Sequence, residues 1–230
     1  MMTTSGGGRP SQRRGPRPKG RFLVVVAGPN GAGKSTFIET FLEPTGILIV
    51  NADEVAKALS PDSPGAVAYE AARVADAWRR DLVARGVSFC METVFSDAQG
   101  AKLDFLKECQ SNGYTVTLVF IGLESADLSR GRVMERVEAG GHDVPDDKIE
   151  SRFPRTFNNL NQALRFIDVA LLFDNSSSDE PYRFVAEFRN GKRLRSKRLH
   201  FFVDRVPQLV SLPHMPKIEQ TLANINGRNG

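Results

Sequence analysis

Short apolar runs and amphipathic stretches alternate along the chain. Residues 22–27 (FLVVVA), 47–50 (ILIV), 87–92 (VSFCME), 114–123 (YTVTLVFIGL) and 169–176 (VALLFDNS) are compact and apolar, the pattern of strands buried on both faces of a sheet. Between them the period becomes helical. A helix after Gly33 is expected to run to about Leu42, where Pro44 and Gly46 end it. Residues 66–85 place Val67, Ala71, Val74, Trp78 and Leu82 on one helix face, closed by Gly86. Further helices are predicted over 98–111, stopped by Asn112-Gly113, and over 126–138. Another starts at Pro145, with Asp146 and Asp147 in its first turn, where the helix dipole favours acids. Alternating strands and helices predict an α/β fold with a mainly parallel, five-stranded sheet flanked by helices.

The last part of the chain breaks this pattern. In YRFVAEFRNGKRLRSKRL, apolar and polar residues alternate about Asn190-Gly191, which predicts an antiparallel β-hairpin over about 181–200. A short helix near 203–210 and a loose end beyond Pro213 are expected. The main domain is therefore placed at 21–212. No internal repeat is evident.

Composition changes this picture little. With 40% hydrophobic and 25% charged residues, the 230-residue chain is of ordinary globular make-up. The net charge of +4 is concentrated at the start: Arg9, Arg13, Arg14, Arg17 and Lys19 occur in residues 1–20 without an acid, and subtracting those five leaves −1 for the rest. The Gly-, Pro- and Arg-rich residues 1–20 have little to bury and are expected to be a disordered basic tail. No stretch is long enough to span a bilayer. Cys90 and Cys109 each fall inside a regular element and suit a reducing cytoplasm, and His142, His200 and His214 are too scattered for a zinc site.

The strongest chemical signal is GPNGAGKST. Gly28, Pro29, Asn30, Gly31, Ala32, Gly33, Lys34 and Ser35 satisfy G-x-x-x-x-G-K-[ST] between a predicted strand and a predicted helix. Such a loop wraps nucleotide phosphates with backbone N–H groups. Lys34 would reach the β- and γ-phosphates of ATP, Ser35 would ligate Mg²⁺, and Thr36 would lie near the α-phosphate.

Three further groups separate transfer to an acceptor from simple hydrolysis. Asp53, in NADEVAKAL, follows the second predicted strand at the ligand-binding edge of such sheets. It is placed to take a proton from an attacking hydroxyl, or else to cap the helix at 54–59. Glu92, in CMETVFSD, ends another buried strand on the same edge; with Thr93 it is a candidate for substrate binding, or an ion-pair partner or magnesium-supporting group. Arg132 and Arg136 lie four apart on one predicted helix, and Arg152 and Arg155 on the next. Joined by AGGHDVP, these helices (about 126–165) read as a lid bringing positive charge to the transferring phosphate. The alternative is surface pairing with Glu135, Glu138, Asp146 and Glu150. Asp174, although it ends a buried strand, reads as a turn former within DNSSSDE.

Taken in order, GPNGAGKST, NADEVAKAL, ETVFSD and above all RVMERVEAGGHDVPDDKIESRF resemble the short bacterial members of the zeta-toxin family across about residues 21–175. The resemblance implies a P-loop kinase fold and ATP-dependent phosphorylation of a small molecule, the best-known acceptor being the 3′-hydroxyl of UDP-N-acetylglucosamine. It also implies Asp53 as base, Lys34 and Ser35 as phosphate and metal ligands, Glu92 as a substrate-contacting acid, and Arg136 and Arg152 as charge-stabilising groups. An antitoxin protein is the partner class it brings with it. Pro154 departs from this pattern, since proline inside the second lid helix removes a hydrogen bond and bends the chain. Two other readings stay open: a kinase of a dinucleotide or nucleoside, and, ranked last, a nucleic-acid-associated ATPase. The latter would use the tail and Arg189, Lys192, Arg193, Arg195, Lys197 and Arg198.

Overall fold

The computed structural model describes residues 20–141, 143–196 and 204–206. Five strands run parallel: β1 (Arg21–Ala27), β2 (Leu48–Val50), β3 (Phe89–Thr93), β4 (Tyr114–Gly122) and β5 (Val169–Asp174). Two more, β6 (Arg183–Arg189) and β7 (Lys192–Ser196), form the hairpin about Asn190-Gly191. The hairpin is not an appendage. β6 pairs antiparallel with β5, giving one seven-stranded sheet in the order β2-β3-β1-β4-β5-β6-β7, two strands more than the apolar runs alone predict. Of the predicted helix near 203–210 only residues 204–206 are described, 204 and 205 of them helical; the rest, the tail and the end of the chain lie outside the described residues.

Among the described residues the sheet is accompanied by six helical elements: α1 (Lys34–Phe37, prolonged by a π-helical turn at Ile38–Leu42), α2 (Ala52–Leu59), α3 (Ala68–Ala84), α4 (Ala101–Ser111), α5 (Ala126–Glu138) and α6 (Asp146–Ala163). The central strands are apolar on both sides because helices lie on both faces, and Leu23, Val25, Val26, Leu118 and Ile121 are fully or almost fully enclosed. α3 differs from its predicted face. It buries Ala71, Ala75, Arg79, Leu82 and Val83, while Val74 and Trp78 stay 43% and 37% exposed. The apolar stem of Arg79 takes part in that face, and its guanidinium pairs with Asp76 at 2.5 Å.

Pro154 lies inside α6 without interrupting it. The helix turns Ile149, Phe153, Phe157 and Leu160 to the core and leaves positions 150 and 154 exposed. The Glu150 carbonyl, deprived of its N–H partner by the proline, is thus on the side that water reaches. Among the described residues no helix is long and apolar enough to cross a membrane.

Candidate active site

Strand register assembles the site. Val26 of β1 lies beside Glu92 of β3, and Val50 of β2 beside Met91. The residues that follow, Asn51 after β2 and the phosphate loop after β1, therefore flank Glu92 at the carboxyl edge of the sheet, where open α/β sheets bind ligands. The loop needs its glycines. At Gly28 (φ 153°) a Cβ would lie 2.1 Å from the Ile121 carbonyl oxygen, so only glycine lets β1 turn so close to β4.

Glu92 is the centre of the polar cluster. Its Oε2 accepts from the Ser35 hydroxyl at 3.1 Å and from Asn51 Nδ2 at 3.0 Å, and its Oε1 lies 3.9 Å from Lys34 Nζ. Lys34 is buried and donates to the Pro29 carbonyl at 3.0 Å. Burial pushes its pKa below the usual lysine value; the Glu92 and Asp53 carboxylates oppose that shift and the Arg136 guanidinium adds to it. Asp53, Glu92 and Arg136, far apart in sequence, thus all lie within electrostatic reach of one ammonium group.

Asp53 is not the cap of its helix. Asn51 is: extended at φ −118°, ψ 125°, it accepts the Asp53 N–H through Oδ1 at 2.9 Å. Asp53 sits in the first turn of α2 and is exposed. Sequence reasoning missed Asn51, although its place just before the helix is the N-cap signal. The Thr93 hydroxyl accepts the N–H of Phe95 at 3.0 Å, holding that residue at φ 61°. Asp97, in the same loop, has both carboxylate oxygens buried and without a hydrogen-bond partner among the described residues.

The predicted lid is moored at both helices. On α5, Ser129 Oγ donates to the Asn30 carbonyl of the phosphate loop at 2.6 Å. On α6, Thr156 donates to the Val94 carbonyl at 3.0 Å, and Asn159 to those of Phe95 and Asp97 at 3.0 and 2.9 Å. Salt bridging between the helices falls to Arg130, absent from the predicted set. It pairs with Asp127, Asp146 and Glu150. Arg132, half-buried, reaches the Ser176 carbonyl at 3.4 Å, and Arg155 the Ser151 hydroxyl at 3.3 Å. Arg152 is half-buried, and among the described residues its guanidinium enters no ion pair or hydrogen bond.

Two other expectations concern the far side of the sheet. Asp174 is a turn former: its Oδ1 accepts the N–H and the hydroxyl of Ser176, and its Oδ2 pairs with Arg183 at 2.8 Å. In the basic hairpin, Arg189 and Arg195 are both spent on the buried Glu187. Burial opposes ionisation of that carboxyl, but the two guanidiniums hold it below the usual glutamate range. Lys197 and Arg198 lie outside the described residues.

Phosphates are what this edge of the sheet is shaped to hold, and the class it defines is the nucleotide-dependent P-loop kinases. Comparison narrows the class. Residues 9–182 match the zeta-toxin family, and the chain belongs to it. An uncharacterized protein of Haemophilus influenzae is 26% identical over 130 residues, 56% of this chain and 91% of that one. Among solved structures, the fold is shared with the PezAT toxin–antitoxin system of Streptococcus pneumoniae (16% identity, TM-score 0.57, 94% of this chain and 88% of that one). It is shared too with the AvrRxo1-ORF1:-ORF2 complex with ATP (18% identity, TM-score 0.64, 85% of this chain), of which this chain spans only 66% of the matched chain's own length.

Proposed function

We propose that this zeta-toxin family member transfers the γ-phosphoryl group of ATP to a hydroxyl of a UDP-sugar such as UDP-N-acetylglucosamine. The observation that carries the reading is the gathering of Asp53 and Glu92 about the phosphate-loop lysine, since a carboxylate there can take the proton of an acceptor hydroxyl. The Asp53 carboxylate takes the proton as the acceptor O–H bond breaks and the new O–P bond forms; the bridging P–O bond of ATP breaks and its electron pair leaves with ADP. Lys34 and the loop N–H groups hold the phosphates, and Arg136 and Arg152 meet the charge that develops on the transferring group. The Ser35 hydroxyl and the Glu92 carboxylate, 3.1 Å apart, offer the hard oxygen ligands that Mg²⁺ prefers, and the ion would neutralise phosphate charge there. Among the described residues no group of three or more His, Cys, Asp or Glu side chains forms a metal site, so the remaining ligands would come from the nucleotide and water. Thr93 and Arg132 are assigned to substrate binding. As the pneumococcal relative is a toxin–antitoxin system, a protein antitoxin is the partner class we propose.

One experiment tests the assignment. Wild type, Lys34→Ala and Asp53→Ala are incubated with labelled ATP and, separately, UDP-N-acetylglucosamine, a dinucleotide and a nucleoside. Labelled UDP-N-acetylglucosamine is expected from wild type alone, with ATP still protecting Asp53→Ala against thermal unfolding. Label in another acceptor would move the substrate class. A folded Asp53→Ala protein with near wild-type transfer would remove Asp53 as base.

A further inference from the structure

The phosphate loop is gripped from behind. Its carbonyls at Asn30, Ala32 and Gly33 accept side-chain hydrogen bonds from Ser129, Asn175 and Tyr182, which are 99, 143 and 149 residues away in sequence. Two of these donors come from the connection between β5 and β6. Asn175 follows β5 directly, is 8% exposed, and donates from Nδ2 to the Ala32 carbonyl at 3.0 Å. Its Oδ1 accepts the N–H of Tyr182 at 3.1 Å, and the Tyr182 hydroxyl donates to the Gly33 carbonyl at 2.8 Å.

The fit leaves no slack. A Cβ on Gly33 (φ 82°) would come within 2.7 Å of Asn175 Nδ2 and 3.0 Å of the Tyr182 hydroxyl. Tyr182 itself is held at φ 53°, a left-handed conformation rare for a bulky residue and retained where the surroundings over-determine it. Here its N–H, its hydroxyl and its ring, edge-on to Phe37 and Phe41, are all engaged.

Each gripped carbonyl shares a rigid peptide plane with the next N–H, Ala32 with Gly33 and Gly33 with Lys34. Holding the oxygen on one side aims the N–H on the other, and donation to the oxygen polarises the peptide so that this N–H donates more strongly. We propose that Asn175 and Tyr182 are positioning residues for phosphate binding: from the β5–β6 connection they set the direction and polarity of the Gly33 and Lys34 N–H groups. The proposal rests on the phosphate-loop reading above and assigns a purpose to two residues outside the motif.

Tyr182→Phe keeps the ring and removes only the hydroxyl; Asn175→Asp keeps the acceptor for Tyr182 N–H and turns the donor into a carboxylate oxygen against Ala32. Affinities for ATP and for inorganic tripolyphosphate are measured by calorimetry on the full chain, with a thermal melt of each ligand-free protein. Tyr182→Phe is expected to weaken both ligands by the same factor, roughly threefold to tenfold, the worth of one hydrogen bond. Its ligand-free melt should fall by no more than the loss of one hydrogen bond explains, and Asn175→Asp should lose more affinity than Tyr182→Phe. A loss for ATP with tripolyphosphate unchanged would overturn the proposal and place Tyr182 on the nucleoside. A lower ligand-free melting temperature with both affinities intact would make the pair mere struts. Lys34→Ala, run beside them, separates the two levels. If it also binds both ligands as wild type does, the phosphate-loop reading fails; if it alone is weakened, only the positioning role is lost.

Discussion

Asn51 joins two jobs in one side chain, capping α2 through Oδ1 and holding Glu92 through Nδ2. The two can be pulled apart. Asn51→Ala is expected to lose the cap, worth about 1 kcal/mol, and to melt earlier. Asn51→Ser keeps an oxygen that caps well but lacks the amide Nδ2 that reaches Glu92, so it should melt close to wild type while transferring phosphate more slowly. Equal melting and equal turnover for the serine variant would show that Glu92 needs no such orientation. Asp53 was legible as a site candidate because it follows an apolar strand in the chain. The residue that caps its helix was not separable from it, since Asn51-Ala52-Asp53 offers two short acceptor side chains two positions apart and only backbone geometry says which is extended. The hydrogen bond from Asn51 to Glu92 spans 41 residues and left no trace in local pattern.

At the scale of elements, the lid pair α5 and α6 divides its arginines by work. Arg130 clamps α5 to α6 through two carboxylates, Asp146 and Glu150, whereas Arg136 lies within electrostatic reach of Lys34. Under the proposed mechanism, in which they meet charge that develops in the transition state, Arg136→Ala and Arg152→Ala are expected to lower kcat by about a thousandfold or more, with a smaller change in ATP affinity. Arg130→Ala should instead lower the melting temperature and leave kcat of the folded protein nearly unchanged. Pre-steady-state transfer assays with a parallel melt check both. Equal losses of ATP binding and rate would put Arg136 and Arg152 on ground-state nucleotide. Helical spacing could propose four arginines for the lid, but which one pairs with acids on the neighbouring helix depends on how α5 and α6 pack. The face of α3 was misjudged for a related reason: apolar periodicity favours Val74 and Trp78, whereas packing selected Ala71, Ala75 and the stem of Arg79.

For the whole molecule, the seven-stranded sheet encloses both thiols, and burial pushes Cys90 and Cys109 up to about 12. Neither is expected to react with a thiol-specific disulfide reagent at pH 8 in the native protein, and both should react once it is unfolded, since the thiolate is the nucleophile. Stoichiometric labelling of the native chain would mean that the sheet opens readily around β3 or α4. The sequence by itself determined the elements whose signal is local. Buried strands show as continuous apolar runs, helix ends as glycine and proline, the hairpin as Asn190-Gly191, and the phosphate loop as a contiguous string. Tertiary structure alone decided the strand order, which sets Asn51 and Glu92 beside the loop, and the pairing of β6 with β5, which turns a separate hairpin into part of one sheet. It also decided that Asn175 and Tyr182 grip the loop's carbonyls. The physical reason is the same in each case: periodicity and turn chemistry report on a residue's neighbours in the chain, whereas hydrogen bonds spanning up to 149 residues and the choice of a packing face are set by which surfaces meet.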